Sequence, residues 1–111
     1  MPAVKKGRLL RLHFSEIDRY QGRPLYEAVV ERARTLGIAG ATVFRGLEGY
    51  GETAEIHRPH LMQRDQPIVV TIVDSPENIE RLIPELEAMM ETGLIATSEV
   101  DCIRIERSPG T

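Results

Sequence analysis

Apolar and polar positions alternate in two different periods along the chain, and the changes of period mark its elements. Residues 8–14 (RLLRLHF) suit a strand. A break at Gln21, Gly22 and Arg23 follows, and Pro24 fits the first position of a helix, where its missing N–H costs nothing. Leu25, Ala28, Val29, Ala33 and Leu36 then recur at helical spacing up to Gly37, a natural helix stop. Residues 41–44 predict a second strand, and residues 67–73 (PIVVTIV) a β-branched central one. Ser75 and Pro76 have the chemistry of an N-cap and first turn. Ile79, Leu82, Ile83, Leu86 and Met90 line one face of the helix they open, with Glu80, Arg81, Glu85, Glu87 and Glu91 on the other. Pro84 lies inside this helix and predicts a kink or a restart. Val100, Cys102, Ile103 and Ile105 supply the apolar positions of a last strand over residues 99–106.

The order β-α-β-loop-β-α-β predicts an α+β fold of the ferredoxin-like split βαβ kind. Right-handed crossovers place both helices on one face of a four-stranded antiparallel sheet. The other face then has no cover within the chain, and burying it against further copies is the usual remedy. Residues 52–66 form a long polar connection of the length that tends to be functional. Residues 1–7 and 108–111 are expected to be flexible ends of a single domain.

With 111 residues, 41% hydrophobic and 28% charged, the chain has the composition of an ordinary globular domain. Aromatic residues are only 5% and Trp is absent, so the core must be aliphatic. The net charge of −3 and the lack of a basic stripe speak against nucleic acid as a partner. No run approaches the length of a membrane helix, and no signal peptide is visible, so a cytoplasmic protein without membrane insertion is expected. The single cysteine, Cys102, fits a buried thiol acting as a small hydrophobe.

The glycine-rich segment carries the most specific signal. Gly40, Ala41, Thr42, Val43, Phe44, Arg45 and Gly46 lead to Gly49, Tyr50 and Gly51, then to Ile56 and His57, then to Pro67, Ile68, Val69 and Val70. With Met89, the run Gly93, Leu94, Ile95 and the closing strand, these motifs resemble the PII-like family catalogued as domain of unknown function 190, over residues 8–107. Thr92, Gly93, Leu94 and Ile95 and the Arg104–Ile105 pair also resemble motifs of the classical PII signalling proteins.

That resemblance implies a homotrimeric sensor with an adenine nucleotide, AMP, ADP or a cyclic nucleotide, in clefts between subunits. It implies a 52–66 loop that signals to a partner such as a membrane transporter or channel. The ligand-binding residues it implies are Thr42, Gly46, Gly49, Tyr50, Gly51, Thr92, Gly93, Ile95 and Arg104, with Arg107 a second candidate cation. Glycines admit close approach to phosphate, and arginine adds charge-assisted bonds. The sequence departs from classical PII proteins after Ile95. Ala96, Thr97, Ser98 and Glu99 replace a glycine-lysine loop that grips ATP, and Glu99 would repel phosphate. A mono- or diphosphate nucleotide, a cyclic nucleotide or a different small anion fits better than a triphosphate.

Two other readings remain open. His57 and His60, three apart, are weak candidate metal ligands, completed by Glu52, Glu55 or Asp65, as in divalent-cation tolerance proteins of similar fold. The chain also fits an interaction module that acts without a small ligand. No nucleophile with a matched base, Walker motif or GxSxG elbow is visible, so no enzyme is expected and no cofactor is assigned. Ser15, Glu16 and Asp18 fit a polar turn, and His13 a structural role.

Overall fold

The computed structural model describes residues 3–47, 49–50, 56–57 and 66–106, with only the backbone described at 49–50 and 56–57. Four strands and two helices carry the fold: β1 (Lys5–Ser15), α1 (Leu25–Thr35), β2 (Thr42–Arg45), β3 (Pro67–Asp74), α2 (Pro76–Met89) and β4 (Leu94–Cys102). The sheet order is β2-β3-β1-β4, and every neighbouring pair is antiparallel. This is the split βαβ arrangement that the element order predicts. Two short ribbons stand apart from the sheet, one pairing Arg19–Tyr20 with Arg23–Pro24 and one pairing Gly49–Tyr50 with Ile56–His57.

The core follows from strand alternation meeting helical spacing. Leu10, Leu12 and Phe14 of β1 and Ile68, Val70 and Ile72 of β3 point to one side. Leu25, Ala28, Val29 and Ala33 of α1 and Ile79, Leu82, Leu86 and Met89 of α2 close over them. The other sheet face has no helix among the described residues. Leu9, Val69, Val73, Phe44, Leu94, Val100 and Cys102 lie on it, and Phe44 is 55% exposed, Leu94 53% and Val73 44%.

Local chemistry explains the helix ends. Helix α1 stops where Gly37, at φ +81°, donates its N–H to the Arg34 carbonyl at 3.0 Å. The Ile38 N–H bonds the Ala33 carbonyl, also at 3.0 Å, which completes a Schellman ending. Pro24 caps the helix from one position outside it rather than opening it. At α2, the Ser75 Oγ accepts from the Asn78 N–H at 3.2 Å. The helix then runs through Pro84 without a restart, because this residue sits on the exposed side, where water can satisfy the carbonyl that loses its donor.

Two boundaries differ from the sequence reading. Lys5, Lys6 and Gly7, expected in a flexible end, are strand, and Gly7 is buried beneath Cys102: a Cβ there would meet the Cys102 Sγ at 2.6 Å. Cys102 is therefore half-buried on the open face rather than a core residue. The last strand occupies Leu94–Cys102, not residues 99–106, and Ile103 and Ile105 beyond it are exposed. As an edge strand covered by no helix over most of its length, β4 needs no apolar alternation, so its true start is silent in the sequence.

Candidate functional site

The end of the sheet where β1 finishes gathers most of the expected site residues. Gly46, one residue past β2, donates its N–H to the Pro67 carbonyl at 2.7 Å. A Cβ on Gly46 would lie 2.7 Å from the Pro67 Cγ, so the close approach of the two chains requires glycine. Pro67 in turn pairs with Ser15. Glu16, the next residue, bonds the Gln66 carbonyl through its N–H at 2.8 Å and takes the Arg45 guanidinium on its carboxylate at 2.5 Å. Gly49 and Tyr50 leave this corner in the short ribbon with Ile56 and His57. Thr42 stands further along β2, on the face away from the helices.

The second group lies across the sheet, at the same end. Gly93 has φ +123°, and a Cβ there would stand 2.5 Å from the His13 carbonyl oxygen and 3.4 Å from the Phe14 Cβ. Thr92, Gly93 and Ile95 line an open cleft of about 230 Å³ with Glu87 of α2 and with Met90 and Glu91 just past its end. The strand order separates this edge from the Gly46 corner by three strand spacings, about 14 Å at roughly 4.8 Å each. Within one chain the two halves of the expected site face outward from opposite edges.

Several expected residues fall elsewhere. Arg104 lies beyond the end of β4, where Cys102 pairs with Lys5 at the start of β1, so it stands at the opposite end of the sheet from Gly93. There it is largely exposed, and its charge reaches Asp74 and its own neighbour Glu106, 3.9 Å away. Its place among the expected ligand-binding residues rested on the resemblance of the Arg104–Ile105 pair to classical PII motifs, which does not fix the end of the sheet it occupies. Ala96, Thr97, Ser98 and Glu99 belong to β4 rather than to a phosphate loop, and Glu99 lies beside Lys6 and Asp101, away from the cleft. Gly51, His60 and Arg107 lie outside the described residues, as do Glu52, Glu55 and Asp65. No group of three or more metal-ligating side chains occurs among the described residues.

Ser15 and Asp18 make the polar turn the sequence predicts, with the Asp18 carboxylate accepting from the Ser15 N–H at 2.9 Å. Glu16 does more: its other carboxylate oxygen is buried without a partner among the described residues. Sequence reading missed the Glu16–Arg45 pair because the two are 29 residues apart and Glu16 stands in no motif.

Comparison with known proteins now decides the family. The profile of the DUF190 family, described as "Uncharacterized ACR, COG1993", matches residues 7–102. The chain belongs to the DUF190 family. A UPF0166 protein of Aquifex aeolicus is 42% identical over 102 residues, covering 90% of this chain and 96% of its own. Among solved structures, CPII of Thiomonas intermedia K12, a nitrogen regulatory PII-like protein bound to ADP, AMP and bicarbonate, superposes with a TM-score of 0.70. It is 18% identical, and the match covers 94% of each chain. A putative PII-like signaling protein of Thermus thermophilus gives 0.67 at 17% identity, over 90% of this chain and 92% of its own. At these identities the likeness is one of fold, so this DUF190 chain has the PII-like fold.

Proposed function

We propose that this DUF190 protein is a PII-like regulator that binds an adenine nucleotide in clefts between copies of itself and passes the signal to a partner through residues 52–66. The observation that carries the reading is the division of the site. The Gly46 corner and the Thr92–Gly93–Ile95 cleft lie at one end of the sheet but on opposite edges, so only a neighbouring copy brings one against the other. A ring of copies placed edge to edge does this, and it also covers the apolar face that carries Phe44, Val73 and Leu94. A homotrimer is the assembly we propose. The ADP and AMP bound by CPII, which has the same fold, support the ligand class.

In this site Gly46, Gly49 and Tyr50 of one copy face Thr92, Gly93 and Ile95 of the next, with Thr42 and Gly51 on the first side. Among the described residues Arg45 is the cation nearest this corner, and it is ion-paired with Glu16. Arg104 joins such a site only from a different copy than the one that supplies Gly93. The regulator acts by binding, with no bond made or broken.

Titration calorimetry of the assembled protein against AMP, ADP, ATP and cyclic AMP, with sedimentation in parallel, tests the reading. Heat with at least one nucleotide and a trimer in sedimentation are expected. A monomer in sedimentation, or no heat with any of the four, overturns it.

A further inference from the structure

The cleft at the end of α2 has an electrostatic character that the sequence reading assigned to the wrong residue. Its acids are Glu87 in the last turn of α2 and Glu91 two residues past the helix, and among the described residues no lysine or arginine lines it. Both carboxylates are on exposed residues. The cleft also sits at the C-terminus of α2, whose last turn carries no basic residue. The last carbonyls of a helix present about half a negative charge, and nothing in the last turn offsets it here. Two carboxylates and a helix C-terminus thus aim negative potential at the same small space.

A chain of phosphates is a poor occupant for such a space. Hydroxyl and amine groups suit it, because carboxylates and carbonyls are hydrogen-bond acceptors. The cationic group of the proposed site lies on the other lip, where Arg45 precedes Gly46 and shares its charge with the Glu16 carboxylate, so a phosphate there must compete with Glu16 for the guanidinium. Resting on the function proposed above, we infer that the α2 cleft takes the donor-bearing nucleoside part of the ligand and selects against added phosphate through Glu87 and Glu91. The ligand then spans the interface with its ribose or amine toward Thr92 and Gly93 of one copy and its phosphate toward Arg45 of the next. Affinity is highest for a monophosphate and falls as negative charge is added.

The test compares AMP, ADP and ATP by calorimetry in magnesium-free buffer, for the wild type and for the Glu87→Gln, Glu91→Gln double variant. Glutamine keeps the shape and an acceptor oxygen while removing the charge, and both glutamates are exposed. The wild type should prefer AMP over ATP. The double variant should narrow that preference by about threefold to tenfold, as for exposed charges acting across water, and 0.5 M salt should shrink the difference. AMP binding in the wild type with an AMP-to-ATP ratio that the double variant does not move overturns this inference and leaves the proposed function standing. A wild type that binds ATP as tightly as AMP does the same. No heat with any nucleotide overturns the proposed function and this inference together.

Discussion

The backbone of Gly93 passes so close to His13 that a side chain on Gly93 would start 2.5 Å from the His13 carbonyl oxygen. The torsion of φ +123° is also one that side-chain-bearing residues rarely adopt. Gly93 is thus fixed by the path of the chain before any ligand is considered. Gly93→Ala should destabilise the protein by about 1–3 kcal/mol, measured by urea unfolding. Wild-type stability in this variant would contradict the geometry. Loss of nucleotide binding in a Gly93→Val protein therefore says nothing about the ligand, and Glu87 and Glu91 are the better probes.

Asp74 gives stability a pH dependence. Burial alone would push its carboxyl up. The N–H groups of Ala39 at 2.9 Å and Ser75 at 2.7 Å, the Asn78 amide at 2.9 Å and the Arg104 charge outweigh that and leave it below its ordinary value. A carboxyl lowered in the folded state contributes stability above its unfolded pKa of about 3.9, and that contribution is lost as pH falls through the folded value. Asp74→Asn should cost about 1–2 kcal/mol at pH 7 and flatten the decline of stability below pH 4. An unchanged acid limb in urea titrations between pH 2.5 and 7 would remove Asp74 as its source.

The contact between the helices contains both an ion pair and an apolar core, and the core should dominate. Arg32 reaches Glu85 at 2.5 Å, but the two side chains are 34% and 41% exposed, so water screens much of the attraction. Glu85→Gln should cost less than about 1 kcal/mol. Leu82 is 0% exposed, and Leu82→Ala should cost about 2–5 kcal/mol through lost burial and a cavity. The two denaturation midpoints, measured side by side, give the ranking directly, and the reverse order would count against this core.

Phe44 tests the open sheet face. It is 55% exposed in a single chain, so an aspartate there leaves the monomer fold intact. Against another copy it would bury a charge. Phe44→Asp should sediment as a monomer with a native circular dichroism spectrum, and nucleotide binding should go with the assembly. A variant that still assembles would place the interface elsewhere.

The fold was largely legible because its buried positions obey two clean periods: Ile68, Val70 and Ile72 alternate, and Ile79, Leu82 and Leu86 recur by turns. The Gly37 ending and the Ser75 cap are local chemistry that the sequence displays. Strand β4 was not legible in register, since only Ile95, Val100 and Cys102 along it are even half-buried, while the apolar Ile103 and Ile105 beyond it imitate a strand. Arg104 entered the expected site through the resemblance of the Arg104–Ile105 pair to classical PII motifs, which says nothing of the sheet end at which it stands. The two glycine lips were legible because glycine is demanded by backbone geometry, but their placement on opposite edges is a property of sheet order. Glu87 and Glu91 look like ordinary solvated helix residues until the turn at Gly93 folds a cleft against them.

The hydrogen bond from Gly46 to Pro67 has a further consequence. The chain departs from the sheet and returns to it at a single point, held there by this bond and by Glu16 gripping Arg45 on one side and the Gln66 carbonyl on the other. The scaffold is closed at that point by its own hydrogen bonds. The sequence between those two points can therefore change in length without disturbing the sheet, the helices or the α2 cleft, because each doubling of a closed loop costs only about 0.6 kcal/mol.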